Sequence, residues 1–332
     1  MNKLFRKGRQ GFVPSSSAGE LGGALRILRG HAPGVSAVGF ALGGRVLFSA
    51  DTEGNFAAWT SPSFEPHLGL SHDPKSATMD IATTLGECVY LARGSFVEHW
   101  TLSPDFLENS HAFKSVALSG AHPSGVTRVI ATARGPISGG AEGNVVFWEE
   151  ARRKPSAVGH VEGAILAIAC SPTAAYEAES GARLAVGTSL GTVTVLEADD
   201  RTIVYTAQLH ASEVRSLSIQ NHRFQHRHIL ASACPSEHSV CIWDKNLKLT
   251  QVTARAHVVA FSPDGRFLAH GDHNDIVIRD GRNWTERERL RGHRGTVSTL
   301  AFSPMQYPDD LWDGWLASGA NDGTVRVWKV AD

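Results

Sequence analysis

The sequence predicts an all-β protein built from repeated antiparallel meanders, and three observations support this fold class. Short apolar runs of strand length recur along most of the chain with turn residues between them. The clearest runs are 296–304, 316–320 and 324–328. Asn321-Asp322-Gly323 separates the last two runs and predicts a tight turn, because Asp and Gly tolerate the backbone angles that a hairpin needs. Finally, the same closing pattern recurs at a spacing of about 45 residues.

Seven closing positions mark the ends of these units. Five of them are Trp, whereas the fourth and sixth units end on Leu and Arg. The positions are Trp59, Trp100, Trp148, Leu196, Trp243, Arg279 and Trp328. One such unit cannot bury its own apolar faces, so this period predicts an array of packed units and not seven separate domains.

The last unit carries the most specific motifs. It opens with Gly292-His293, has Ser303-Pro304 after its first strand, and closes with Ser318-Gly319-Ala320-Asn321-Asp322-Gly323-Thr324-Val325-Arg326-Val327-Trp328. In these motifs the chain resembles the WD40-repeat family, and the first unit opens in nearly the same way with Leu28-Arg29-Gly30-His31. The resemblance covers about residues 24–330 and implies a seven-bladed β-propeller of four-stranded antiparallel blades around a channel. The second and sixth units are identified mainly by their spacing.

The resemblance also implies how the ring closes. In this family the run between one close and the next Gly-His opening forms the outer strand of the preceding blade. The last unit ends at Val330, directly after its third strand, so we expect residues 24–28 to complete that blade and remove an exposed strand edge. We therefore predict a single propeller over residues 23–332.

The first 22 residues differ from the rest of the chain. Lys3, Arg6, Lys7 and Arg9 precede a Ser- and Gly-containing stretch, and no apolar run follows them. A signal peptide needs such a run after its basic start. We therefore expect residues 1–22 to form a mobile basic tail.

The resemblance further implies a buried hydrogen-bonded set within a blade, made of the opening His, a strand Ser or Thr, the turn acid and the closing Trp. The complete set is His293, Ser318, Asp322 and Trp328. Two near-copies with a longer acid are His31, Ser49, Glu53 and Trp59, and His122, Ser138, Glu142 and Trp148. An active site occurs once, whereas this set recurs around the ring. We therefore expect these residues to lock the blades and not to catalyse a reaction.

Composition and motifs argue against several classes of function. The formal net charge of -1 disfavours a general grip on nucleic acid. The four cysteines are scattered without a CxxC spacing, so we expect no zinc site, no redox pair and no disulfides. No phosphate-binding loop with a Lys-Ser or Lys-Thr end occurs. We expect no cofactor, no metal and no catalytic residue, and the sequence reveals no cluster of titratable groups at the channel mouth that an enzyme would need.

Three connections between a first and a second strand are enlarged. They are residues 173–182, 220–228 and 305–314, and they should all lie at the end of the propeller opposite the His and Asp loops. The second is a basic loop, and its several histidines lack the acids that would favour a metal site. The third combines aromatic and acidic residues, and Trp and Tyr are enriched in binding hot spots.

From these loops we select six candidate residues for binding a partner. They are Tyr307, Asp309, Asp310, Trp312, Arg223 and Arg227. An alternative for the third loop is that Trp312 and Trp315 pack beneath it as a local cluster.

The resulting expectation is a non-catalytic scaffold or adaptor subunit of a larger intracellular assembly that binds one or more proteins or peptides. We expect no insertion into a membrane and no general binding to nucleic acid. Two alternatives remain. One is a nucleic-acid-associated propeller that uses the basic tail and the Arg223/Arg227 loop. The other is an enzyme with its site at the channel mouth.

Overall fold

The computed structural model describes residues 12–18, 23–71, 77–149, 154–171, 182–198, 200–222, 227–243, 249–304 and 314–330. These residues form seven antiparallel sheets that follow one another along the chain, and the inner strand of each sheet contacts the inner strand of the next. The last sheet contacts the first through β27 (Val297–Phe302) and β3 (Val35–Ala41), which closes the ring. The predicted seven-bladed propeller is confirmed.

The strands are numbered in chain order. Two strands precede the first blade, β1 (Ser15–Ala18) and β2 (Ala24–Arg29). Blade 1 contains β3, β4 (Val46–Asp51), β5 (Asn55–Thr60) and β6 (Glu65–Ser71). Blade 2 contains β7 (Thr78–Thr83), β8 (Cys88–Arg93), β9 (Phe96–Leu102) and β10 (Phe113–Leu118). Blade 3 contains β11 (Val126–Thr132), β12 (Gly135–Gly140), β13 (Asn144–Glu149) and β14 (Lys154–His160).

The second half of the ring repeats this order. Blade 4 contains β15 (Ile165–Cys170), β16 (Arg183–Thr188), β17 (Thr192–Glu197) and β18 (Ile203–Gln208). Blade 5 contains β19 (Ser216–His222), β20 (Arg227–Cys234), β21 (Ser239–Trp243) and β22 (Leu249–Thr253). Blade 6 contains β23 (Val259–Phe261), β24 (Phe267–Asp272), β25 (Asp275–Asp280) and β26 (Glu286–Leu290). Blade 7 contains β27, β28 (Trp315–Ala320), β29 (Val325–Lys329), β2 and β1. Short 3₁₀ turns occupy Leu42–Gly44 and Pro235–Glu237. Within the described ranges no helix is long and apolar enough to cross a bilayer.

The core lies between neighbouring blades. Strand alternation turns one set of side chains towards each adjacent sheet, so every blade contributes apolar residues to two interfaces. Between blades 1 and 2, Phe56 lies 5.1 Å from the Trp100 ring centroid, and both side chains are buried. Small residues on second strands admit the next inner strand. A Cβ on Gly319 would come within 2.3 Å of Val35, so only glycine fits there.

Side-chain hydrogen bonds join the inner strands of neighbouring blades. The Ser298 hydroxyl donates to the Val35 carbonyl at 2.5 Å, and the Ser36 hydroxyl donates to the Thr78 carbonyl at the same distance. Between blades 2 and 3 the Asp80 carboxylate accepts from the backbone N–H of Val129 at 3.1 Å. These bonds cross from one sheet to the next. Together with the buried apolar surface, they therefore hold neighbouring blades at a fixed angle.

The N-terminal strand closes the ring as predicted. β2 pairs antiparallel with β29, with Ile27 opposite Arg326 and Leu28 opposite Val325. Ile27 and Leu28 are fully buried. The last blade is therefore assembled from both ends of the propeller sequence, which leaves the first and last units dependent on each other.

The segment before β2 differs from the sequence prediction. Residues 15–18 were expected to belong to a mobile tail, whereas they form β1 and pair antiparallel with β2 as a fifth strand of blade 7. Phe12 explains part of this order, because its ring lies 5.3 Å from the His31 ring and packs on the buried core between blades 7 and 1. The prediction of a tail is therefore wrong for residues 12–18.

Strand polarity gives the propeller two distinct ends. The His end carries the segments that enter the inner strands and the turns between second and third strands. The insertion end carries the connections between first and second strands. One prediction about the insertion end needs correction. Residues 220–228 were interpreted as a loop, but the β19–β20 ladder continues to the pair His222 and Arg227, so most of this stretch is a long hairpin.

Candidate functional site

The four residues predicted to form a network in blade 7 are brought together at the His end. His293 Nδ1 lies 3.1 Å from an Asp322 carboxylate oxygen, and His293 Nε2 lies 2.8 Å from the Ser318 hydroxyl. The Trp328 indole N–H donates to the same hydroxyl at 2.8 Å. The backbone N–H of Arg294 also donates to Asp322 at 2.7 Å. The set therefore ties the entry to β27, the turn before β29 and the end of β29 together.

The direction of each hydrogen bond along the chain of four residues follows from its terminal groups, the Trp328 indole and the Asp322 carboxylate. An indole N–H can only donate and an ionised carboxylate can only accept. The Ser318 hydroxyl therefore accepts from Trp328 and donates to His293 Nε2, and His293 Nδ1–H donates to Asp322. Burial lowers the pKa of His293, although Asp322 opposes this shift, so the imidazole is neutral at pH 7. Both of its nitrogens are engaged inside the blade.

The pKa of Asp322 is lowered despite its burial. Desolvation alone would raise this pKa, but the hydrogen bonds from His293, the Arg294 N–H and Thr324 outweigh it. The carboxylate therefore stays ionised across the physiological pH range, which is the state that the network needs.

Blades 3 and 5 contain the same arrangement with Glu in place of Asp. In blade 3, His122 lies 2.6 Å from Glu142 and 2.7 Å from Ser138, to which Trp148 donates at 2.7 Å. The blade 5 residues are His210, Glu237, Ser232 and Trp243, at 2.7 Å, 2.8 Å and 2.9 Å in the same order.

Of these four residues, sequence analysis identified Trp243 as the close of the fifth unit but missed Ser232 and Glu237. The Ser-to-Trp spacing is 10 residues in blades 3 and 7 and 11 in blade 5. The 3₁₀ turn Pro235–Glu237 adds one residue there. A search that allowed this single insertion would have found the set.

Blade 1 uses a different acid from the one predicted. His31 Nδ1 lies 3.1 Å from Asp51, which is fully buried, whereas Glu53 is exposed. Asp51 also accepts from the backbone N–H of Ala32 at 2.8 Å and of Glu53 at 3.0 Å. The assignment of Glu53 is therefore wrong. Asp51 at the end of β4 already reaches the imidazole, and its short side chain caps the following turn at the same time.

Blade 6 fills the same place with other residues. His270 lies on β24 and is fully buried, and Arg279 takes the closing position. His270 Nδ1–H donates to the Gly271 carbonyl at 2.8 Å, and Arg279 Nε–H donates to His270 Nε2 at 2.9 Å. Burial lowers the pKa of His270 to about 4, so this imidazole is also neutral. A guanidinium and an imidazole thus replace the indole and hydroxyl of the other blades.

The central channel carries titratable groups that sequence analysis did not anticipate. Asp80, Arg128, Arg215 and His257 all line a cavity of about 440 Å³ at the ring centre, so the expectation that no such cluster exists is wrong. Burial raises the pKa of Asp80, and its oxygens accept backbone N–H bonds from Ile81 and Val129. Burial, together with Arg215, lowers the pKa of His257.

Of the six predicted partner-binding residues, the structure describes the backbone of one. Tyr307, Asp309, Asp310, Trp312 and Arg223 lie outside the described residues. Arg227 is the first residue of β20, and its side chain also lies outside the described part.

Trp315 directly follows the blade 7 insertion, and two neighbouring side chains hold its ring in place. The Trp315 ring lies 5.6 Å from that of Phe64, and the Lys329 ammonium sits 4.8 Å above its centroid. Trp315 therefore packs between blades 7 and 1, against Phe64 and Lys329.

Comparison with known proteins gives matches to parts of the chain. A family model described as "WD domain, G-beta repeat" matches residues 284–329. The WD repeat and HMG-box DNA-binding protein 1 of Xenopus laevis is 35% identical over 85 residues, covering 25% of this chain and 7% of that protein. The histone transcription regulator slm9 of Schizosaccharomyces pombe is 34% identical over 80 residues, covering 22% and 10%. The ribosome biogenesis protein erb1 of Aspergillus fumigatus is 51% identical over 41 residues, covering 12% and 4%. These matches span a tenth or less of each relative.

Proposed function

The chain is a WD40-repeat β-propeller, and on that premise we propose that it acts as a non-catalytic scaffold or adaptor that binds protein partners within a larger intracellular assembly. The insertion end is our proposed contact surface. Fold alone does not identify a partner, because propellers serve many processes. The proposal therefore rests on where this chain departs from its own repeat.

The observation that carries the proposal is the anchoring of the blade 7 insertion. β27 ends at Phe302 and β28 begins at Trp315, and Trp315 is held by Phe64 and Lys329. The second end of this connection is therefore fixed by packing, and the sequence between its two ends contains Tyr307 and Trp312 among acids. Aromatic residues presented from a rigid base lose little entropy when a partner binds.

Two further features support the insertion end. The turn between β19 and β20 belongs to this end, and the sequence there includes Arg223 and Arg227. The connection between β15 and β16 in blade 4 is enlarged at the same end. At the opposite end the His–acid pairs of blades 1, 3, 5 and 7 are used to lock their own blades. Their repetition argues against a catalytic role.

The experiment compares partners recovered with the intact chain and with a Tyr307→Ala/Trp312→Ala double variant, each expressed in the source cells and purified for mass spectrometry. We expect specific partners to fall by about tenfold or more while Tm stays unchanged. Leu190→Ala is the matched control, since Leu190 is 46% exposed in the β16–β17 turn of the His end. A lower Tm with the same partners would mean that the two aromatics pack beneath the insertion, and this result would contradict the proposed contact.

The nucleic-acid alternative has one specific observation in its favour. One similar protein is named as DNA-binding, although the match covers 7% of it. Binding through the basic tail and Arg223/Arg227 would weaken steeply with salt, because each phosphate contact releases a counterion. Titration of the purified chain with duplex and single-stranded probes at two salt concentrations separates this alternative from protein recognition.

A further inference from the structure

Blade 5 has one feature that sets it apart from the other blades with a His–acid pair. Cys234 is fully buried at the end of β20, beside the hydrogen-bonded pair of His210 and Glu237. Each of the three residues offers one ligand atom, and these atoms lie within 4.8 Å of one another. We propose that blade 5 binds a Zn²⁺ ion through His210 Nδ1, the Cys234 thiolate and the Glu237 carboxylate.

Strand register explains why these residues converge. Cys234 follows Ser232 by two residues on β20, so both side chains lie on one face of the sheet. In blade 3 the residue at the Cys234 position is Gly140. A Cβ built there would come 2.3 Å from His122 Nδ1 and 2.2 Å from Glu142. A side chain at this position therefore points directly at the His–acid pair.

The other locked blades supply no sulfur at this position. Blade 3 has Gly140, blade 7 has Ala320, and in blade 1 the residue is Asp51, the acid itself. Within the described residues, only blade 5 combines imidazole, carboxylate and thiol in this way. The sequence expectation of no zinc site rested on the lack of a CxxC spacing. The ligands here come instead from three separate stretches that the fold brings together.

The donor set suits Zn²⁺. Nitrogen, sulfur and oxygen ligands at about 2.0–2.3 Å are typical of zinc, whereas harder cations favour oxygen alone. Three protein ligands leave a fourth tetrahedral position. The Glu237 side chain is 28% exposed while that of His210 is fully buried, so water can reach the fourth position from the Glu237 side.

The surrounding contacts hold the ligands in place. The backbone N–H of Ala211 donates to the Glu237 oxygen that does not face His210. Ser232 lies 2.8 Å from His210 Nε2 and fixes the ring orientation, as contacts behind metal-binding histidines generally do. The ion takes the place of the proton that otherwise lies between His210 and Glu237.

Binding of the ion redistributes two protons. The proton on His210 Nδ1 moves to Nε2, which then donates to Ser232, while the Trp243 indole continues to donate to the same hydroxyl. The Cys234 thiol releases its proton to solvent, since only the thiolate binds metal. Zn²⁺ would then replace one hydrogen bond by three metal bonds that join the entry to β19 with the turn before β21.

The test uses the untagged full chain, first stripped with chelator and then dialysed against Zn²⁺ alone. We expect one bound zinc per chain by elemental analysis. With Co²⁺ as a spectroscopic probe we expect a thiolate-to-metal charge-transfer band. Cys234→Ala should weaken binding by about tenfold or more and abolish the band, because it removes the only sulfur ligand.

Cys241→Ala is the matched control. Cys241 is another buried thiol on the same face of this hairpin; its sulfur contacts the Ser239 hydroxyl at 3.9 Å and is not one of the three ligand atoms that lie within 4.8 Å of one another. This variant should keep both the zinc and the band. Circular dichroism establishes that each variant is folded. Absence of stoichiometric zinc in the intact chain, or zinc retained by folded Cys234→Ala, would overturn the proposal. The second outcome would point to the histidines of residues 222–228.

Discussion

Replacing Ser318 by Ala measures how much the hydrogen-bonded network of blade 7 contributes to stability. Its hydroxyl accepts from the Trp328 indole at 2.8 Å and donates to His293 Nε2 at 2.8 Å. Ser318 and Trp328 are fully buried and His293 is 2% exposed. Removing the hydroxyl leaves two buried polar groups without their partner, and each unpaired group costs about 1–3 kcal/mol.

The expected loss in the free energy of unfolding is therefore about 2–6 kcal/mol, with a fall in Tm of about 3–9 °C for a chain of this length. Urea denaturation followed by tryptophan fluorescence and calorimetry measures both quantities. Ser156→Ala is the control, because Ser156 is exposed and its hydroxyl donates to the Phe147 carbonyl at 3.2 Å. A loss below about 0.5 kcal/mol for Ser318→Ala, equal to that of a surface change, would refute the idea that the network locks the blade.

Two further predictions concern blades 1 and 6. Asp51→Asn should destabilise the protein by about 1–3 kcal/mol, because Asp51 accepts the buried hydrogen bond from His31. Glu53→Gln should change the free energy of unfolding by no more than about 0.5 kcal/mol. Urea denaturation of both variants tests this, and a larger loss for Glu53→Gln than for Asp51→Asn would favour Glu53 as the acid of the network. For blade 6, the folded pKa of His270 is about 4 against 6.5 in the unfolded chain. The stability due to neutral His270 is thus complete above pH 6.5 and is lost as the pH falls towards 4, at up to about 1.4 kcal/mol per pH unit. Unfolding measured from pH 7.5 to 4.5 should show a shallower slope for His270→Gln, and identical slopes would contradict the assignment.

The fold was largely predictable because its signals are local and repeated. Gly292-His293 and the Asp322-Gly323 turn are local motifs that can be recognised without knowing the rest of the fold. Because similar motifs recur about every 45 residues, even weak matches together predict a repeat architecture. The pairing of β2 with β29 was also predictable, since a final unit without an outer strand needs one from elsewhere.

The misses arose where the decisive contact is not local. Glu53 matched the repeat in sequence, but the geometry at the end of β4 favours Asp51. Ser232 and Glu237 were missed because one inserted residue shifts the spacing. Cys234 had no motif of its own, since its neighbours His210 and Glu237 meet it only after the blade has folded. β1 was missed because a Ser-rich run has weak strand propensity and is ordered by its neighbours.

The grouping of titratable side chains in the central channel was also not predicted from the sequence. Asp80, Arg128 and Arg215 belong to three different blades and share no local motif, so no single stretch of sequence signals a common cavity. Their convergence follows from the radial arrangement, which turns equivalent positions of successive units towards one axis.

β2 closes the ring by pairing with β29, and deletion of residues 23–30 removes this pairing. The deletion removes the strand that pairs with β29 and exposes the β29 edge, together with the core that Ile27 and Leu28 fill. We predict that calorimetry will show the single cooperative transition replaced by a broad transition at lower temperature. A chain lacking only residues 1–18 loses β1 but keeps the β2–β29 pairing, so it should still unfold cooperatively. An unchanged melting transition in the 23–30 deletion would contradict closure of the ring by β2.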